Sequence, residues 1–180
     1  MMKLQGKVKS SMQMHDPKHV LHTYLLHSSH LGDAHVLPSS IRVLKEQQVG
    51  QLIFFIVTYT TQLQEHLYAC IQVVQETPDS WTFSGFQIMG GNTVTDLPQK
   101  GPPQIAWTRS VSRDGSSFAI AVLPNEVDVT SIRLRDGPRT VCDEQLENHA
   151  LFFWTSQKLQ NPLHVELYDH AHTLIVQYLI

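Results

Sequence analysis

Histidines crowd the first part of the chain. His15, His19 and His22 recur at intervals of four and three residues, and His27 and His30 continue the series. On a helix, side chains three and four apart stand one above the other. Imidazoles arranged in that way can chelate a divalent transition metal such as zinc, nickel or copper. Asp33 or His35 could add a further ligand. No carboxylate lies among the helical histidines to orient a ring, as metal-bound histidines usually require, so a solvated polar face is the competing reading. Between the two stands a pH-sensitive face, because imidazoles gain charge between about pH 8 and pH 5. On that reading helix docking weakens as pH falls, and unchanged thermal stability between about pH 8 and pH 5.5 would count against it.

A second group lies near the C-terminus. His164 and Glu166 alternate onto one side of an expected strand, and the turn after it carries His170 and His172. Two histidines and a carboxylate can form an open metal site if the turn folds back; otherwise this is a solvent-facing strand with a polar turn. Nucleophilic chemistry has less support. Neither Cys70 nor Cys142 has a neighbouring histidine, the usual partner that activates a thiol. Phe83-Ser84-Gly85 is not a nucleophile elbow. The chain has no phosphate loop, no dinucleotide fingerprint and no H-E-x-x-H pair. Triads are recognised by geometry, but the missing motifs point away from an enzyme. The cysteines fit no zinc spacing. They read as two buried free thiols or as a bridge between sheets. Trp81 falls between them, in the order Cys–Trp–Cys of immunoglobulin domains, although Thr140 stands where a tyrosine corner would sit.

The elements that must position these residues are a helix and then a run of strands. Asp16 is suited to cap a helix and Pro17 to occupy its first position; Gly32 is suited to stop it. The helix expected over 16–31 places Val20, Leu21, Tyr24, Leu25 and Leu31 on one face and most histidines on the other. A short helix or strand follows over Ile41–Gln48. From Gly50 the pattern becomes β. Leu52–Thr61 is rich in β-branched and aromatic residues and reads as a strand buried on both faces. It pairs with His66–Gln75 through the turn over 62–65. Trp81–Met89 is the third strand, ended by Gly90-Gly91-Asn92. After a long connection come Gln104–Val111 and Ser117–Leu123, joined by an Asp-Gly turn of the kind that closes hairpins. Val127–Arg135, Thr140–Asp143, Ala150–Trp154, Leu163–Tyr168 and Leu174–Ile180 complete the series, with Asp136-Gly137 turning the first of these into the second. Strands do not alternate with helices, so a parallel sheet is not expected. The predicted fold is mainly β, an antiparallel β-sandwich with an N-terminal α-helical segment, and a barrel is the runner-up. Residues 1–49 form the tail and helical segment packing on the sheet, and 50–180 the sandwich domain. Phe152-Phe153-Trp154 sends successive aromatics to opposite faces, and the N-terminal helix is the expected cover for the outward one.

The later strands also carry a resemblance. Ala119–Leu123, then Val129, Ile132 and Leu134 running into Asp136-Gly137, then Phe152-Phe153-Trp154, and finally Asp169 with Leu174 and Val176 resemble the pattern of small bacterial β-sandwich domains. The likeness covers about residues 115–180. His172 stands where that pattern has a glycine. The resemblance implies a sandwich fold and carries no catalytic residues.

Composition narrows the function further. Of 180 residues, 42% are apolar and 16% charged, with a formal net charge of −3. A disordered chain would be less apolar and more highly charged, and a nucleic-acid binder needs a basic excess. The longest apolar run, Leu52–Val57, falls far short of the roughly 20 residues of a membrane span. No apolar stretch follows the first residues as in a signal peptide, so a cytoplasmic protein is expected. The expected role is a non-catalytic binding or interaction module, its partner another protein or a second copy, with no cofactor. Its recognition element would be the loop over 90–103, with Gly90, Gly91, Asn92, Thr93 and Asp96, because long structureless connections are often functional. The alternatives are a small metal-binding protein using His15, His19 and His22, and a β-barrel carrier of a small apolar ligand.

Overall fold

The structure is a computed structural model that describes residues 15–27, 35–93, 105–111, 116–123, 128–159 and 162–179. Its one described α-helix, α1 (Pro17–His27), starts as the sequence predicts. The Asp16 carboxylate accepts the Lys18 backbone N–H at 2.8 Å, satisfying a donor that has no partner within the helix. His30, Leu31, Gly32 and Asp33 lie outside the described residues. Val20, Leu21 and Leu25 are buried and the exposed side carries His19, His22 and His27.

Among the described residues, eleven strands follow a single 3-10 turn at Pro38–Ser40. They are β1 (Arg42–Val49), β2 (Leu52–Thr60), β3 (Glu65–Thr77), β4 (Ser80–Thr93), β5 (Ala106–Val111), β6 (Ser117–Val122), β7 (Ser131–Asp136), β8 (Arg139–Gln145), β9 (Ala150–Thr155), β10 (Leu163–Tyr168) and β11 (Leu174–Leu179). Residues 42–49 are thus strand and extend the first sheet as its edge. All the pairings are antiparallel and form three sheets: β1-β2-β3-β4, β5-β6-β9 and β11-β10-β7-β8. The sheets stack as a sandwich and do not close into a barrel. Chain reversals follow local chemistry. At the β7–β8 hairpin, Asp136 pairs with Arg139 across Gly137-Pro138; Gly137 takes φ +59°, which suits the first position of a tight hairpin turn and is costly for other residues.

Alternation along the strands explains the stacking. In β2, Ile53, Phe55, Val57 and Tyr59 face one way and, with Ala69, Ile71 and Val73 of β3, pack under Val20, Leu21 and Leu25 of α1. Phe54 and Ile56 face the other way, against Phe118, Ile120 and Val122 of β6 and Phe152 of β9. The opposite side of that middle sheet offers Ala119, Ala121 and Leu151, which meet Ile132, Leu134, Val165 and Leu167 of the last sheet. The layers therefore run helix, sheet, sheet, sheet, and the middle sheet is buried on both faces. Every residue of β6 is buried.

This arrangement corrects the expectation for the aromatic triplet. Phe152 and Trp154 join the packing against the first sheet, and Phe153 joins the packing against the last. The cover over the outward face is a third sheet. The helix lies on the far side of the first sheet, where Tyr24 stacks on Phe83 with ring centroids 3.8 Å apart. The cysteines are free and buried in different layers: Cys70 between the first two sheets, Cys142 between the last two. With the middle sheet between them they do not bridge.

Candidate functional site

The last sheet carries the densest polar cluster of the described structure on its outer face. Register places Gln177, Glu166, Arg133 and Asp143 in one row across β11, β10, β7 and β8. Glu166 is the centre. Its carboxylate accepts the Tyr168 hydroxyl at 2.6 Å and the Arg135 guanidinium at 3.2 Å, and Arg133 stands 3.7 Å away. Arg133 in turn donates to Asp143 at 2.8 Å and to the Tyr168 oxygen at 2.9 Å, with its guanidinium over the Tyr168 ring. The hydroxyl of Tyr168, ahead of the guanidinium of Arg135, holds the Glu166 carboxyl below its usual range despite burial. The same bond raises the Tyr168 phenol. Alternation alone predicts a solvent-facing Glu166, but its partners lean over it and leave it only 6% exposed.

Every charge in this row has a partner of opposite sign within its own sheet, so the face is closed on itself. The row ends at Gln177, whose amide donates to His164 Nδ1 at 2.8 Å. Beyond Gln177 lies the free edge of β11.

That edge differs from the others. β8, at the opposite side of the same sheet, carries Arg139, Asp143 and Glu144. The edge strand β1 carries Arg42, Lys45 and Glu46, and the Asn148 side chain bonds the Leu44 carbonyl at 3.1 Å. The other uncharged edge strands lie close to neighbouring elements, β4 to α1 and β5, and β9 to β1. Charges and covered edges are the ordinary protection against unwanted strand pairing. β11 reads Leu-Ile-Val-Gln-Tyr-Leu with no charge and no proline, and Leu174, Ile175 and Leu179 are exposed. An irregularity at Ile175, where Tyr168 pairs with Leu174 but Leu167 with Val176, bounds the regular edge at its start.

Backbone direction follows from one bond. The Tyr168 carbonyl accepts the Thr130 N–H, so it faces β7. Alternation then turns Leu167 and Val165 toward β11, where they pair with Val176 and Tyr178. The N–H and C=O groups of Gln177 and Leu179 therefore point away from the sheet, and no described strand receives them.

The residues singled out by sequence fall elsewhere. His15 Nδ1 lies 2.7 Å from the Asp79 carbonyl, which can only accept, so that nitrogen carries the proton. His19 and His22 stand exposed on α1. Among the described residues no group of three or more His, Cys, Asp or Glu is placed to hold a metal ion. His164 and Glu166 are engaged with Gln177 and with Arg135 and Tyr168, apart from His170 and His172 in the exposed turn. Gly90, Gly91, Asn92 and Thr93 are not loop: they extend β4 and pair with Tyr68, Leu67, His66 and Glu65. A glycine pair reads as a strand stop, but a Cβ at Gly90 would come within 3.2 Å of Ala106 Cβ, so the facing strand leaves little room for a side chain there. Asp96 lies outside the described residues. Between the first two sheets, Phe54, Phe118, Phe152 and Trp154 fill the space where a barrel would hold an apolar ligand. The open edge of β11 carried one signal in the sequence, an uncharged terminal strand; that it lies at a sheet edge needed the pairing order.

Compared with known protein families, with curated proteins and with solved structures, the chain matches none. No helix among the described residues is long and apolar enough to cross a membrane.

Proposed function

We propose that the protein is a non-catalytic interaction module that engages a protein partner by strand addition at the open edge of β11. The observation that carries this reading is the contrast between edges: charged at β1 and β8, close to another element at β4, β5 and β9, and uncharged with exposed Leu174, Ile175 and Leu179 at β11. In strand addition, main-chain hydrogen bonds supply affinity and alternating side chains supply selectivity. The outward groups of Gln177 and Leu179 offer the first, and their exposed side chains the second. The paired charges of the neighbouring face favour an uncharged extended partner over an ionic one.

A labelled peptide of the sequence Leu-Ile-Val-Gln-Tyr-Leu, flanked by lysines for solubility, probes the edge directly. Fluorescence anisotropy is expected to report saturable binding to the full chain. Binding is expected to weaken at least about tenfold when Gln177 and Leu179 are both replaced by lysine. Equal binding to both proteins would overturn the reading.

A further inference from the structure

We infer that the partner taken by the β11 edge is a second copy of this chain, paired antiparallel about a two-fold axis that crosses the strand at Gln177 or Tyr178. The inference rests on the reading of β11 as the interaction edge and adds the occupant.

Three features suit this edge to a second copy. A two-fold contact sets the same surface against itself, so every residue must tolerate its own kind nearby. β11 has no charge, hence self-pairing places no like charges across the seam in any register. The charges nearest the edge, Glu166 and Arg133, are already paired inside each copy, and an uncharged Gln177 stands between them and the seam.

The second feature is the backbone. Outward N–H and C=O groups at Gln177 and Leu179 are separated by one residue, the spacing of bonded pairs in an antiparallel ladder. With the axis at Tyr178, Gln177 of each copy exchanges bonds with Leu179 of the other. With the axis at Gln177, the two Gln177 residues exchange bonds with each other. Both registers join two four-stranded sheets into one of eight.

The third feature is burial. Val176 and Tyr178 pack against the inner cluster but stay partly open at the edge, and a copy laid alongside brings the same pair of side chains against them. A six-residue strand gives a small contact, at or below the lower end of stable interfaces near about 1,200 Å². The dimer is accordingly reversible and concentration-dependent.

Sedimentation velocity on the full chain, over a roughly hundredfold concentration range, is the test. A monomer–dimer equilibrium is expected, with the dissociation constant raised at least about tenfold by Gln177→Lys with Leu179→Lys. Leu63→Lys, at a residue equally exposed but in the β2–β3 turn, is expected to leave it unchanged. A separate readout does not depend on the lysine variants. Gln177→Cys or Tyr178→Cys is expected to give a disulfide-linked dimer under mild oxidation, since directly opposed strand residues lie within disulfide reach. The native Cys70 and Cys142 are buried and do not compete. A dimer indifferent to the lysines and to both cysteines would lie on another surface and overturn the inference. A monomer at every concentration that still binds the strand peptide would overturn the second copy while leaving the edge reading intact. A monomer that also ignores the peptide would overturn both.

Discussion

His66 shows how much one residue's role depends on its neighbours. Its Nε2 lies 2.8 Å from Thr58 Oγ1, whose single proton goes to the Leu67 carbonyl, so Nε2 carries the ring proton. Nδ1 then accepts from Thr60 Oγ1 at 3.3 Å. The neutral ring is fully bonded, and burial, with Arg42 nearby, lowers its pKa below the ordinary 6.5. The unfolded chain therefore takes up the proton first. Stability from this site is fully present above about pH 6.5 and declines as pH falls below it. We expect the urea midpoint of the wild type to fall between about pH 7 and pH 5.5, and His66→Gln to flatten that slope. Glu166 acts in a separate window. Its pKa is held below the ordinary 4.5, so its contribution persists above that value and is lost only at lower pH. Neither role was legible in sequence. The His66 partners come from residues 6 and 8 places away and the Glu166 partners from 2 and 31 places away, and strand alternation reports a side chain's face without reporting what leans over it.

At the scale of elements, local chemistry was a good guide to where strands lie and a poor one to where β4 ends. Helix start, hairpin turns and the doubly buried β2 follow from a cap, a glycine at positive φ and a run of β-branched and aromatic residues. β4 runs on through Gly90 because β5 passes close beside it, a demand made by a strand sixteen residues later in the chain. We expect Gly90→Val to destabilise the fold by about 1–3 kcal/mol, measured by urea denaturation, because its side chain would press on Ala106 where backbone and side chain are both held in packed strands. A loop at this position would tolerate valine without loss. The helix illustrates the reverse case. Its apolar stripe was legible from periodicity, but the surface it covers, the Phe55–Tyr59 face of β2, was not.

The whole molecule is a stack in which one three-stranded sheet is enclosed between two larger ones. That enclosure decides the state of the thiols. Cys70 lies in one apolar layer and Cys142 in the other, and burial, reinforced for Cys142 by Glu144, pushes both up to about 12. We expect neither to react with a thiol reagent at about pH 8 in the native protein and both to react at once on unfolding without reductant. A chain that gave no free thiols on unfolding would show a bridge, and the layer order would then be wrong.

The sequence by itself determined an antiparallel β protein with a capped N-terminal helix, because period, turn residues and caps act over a few neighbours. It also determined that the terminal strand is uncharged. The tertiary structure alone decided the order of strands, the third layer, the burial of Glu166 and the place of the uncharged β11 at a sheet edge. These depend on pairings between segments far apart in the chain, and many such pairings satisfy the same alternation. Which one forms is settled only when whole faces must be covered together, and that requirement leaves the edge of β11 open.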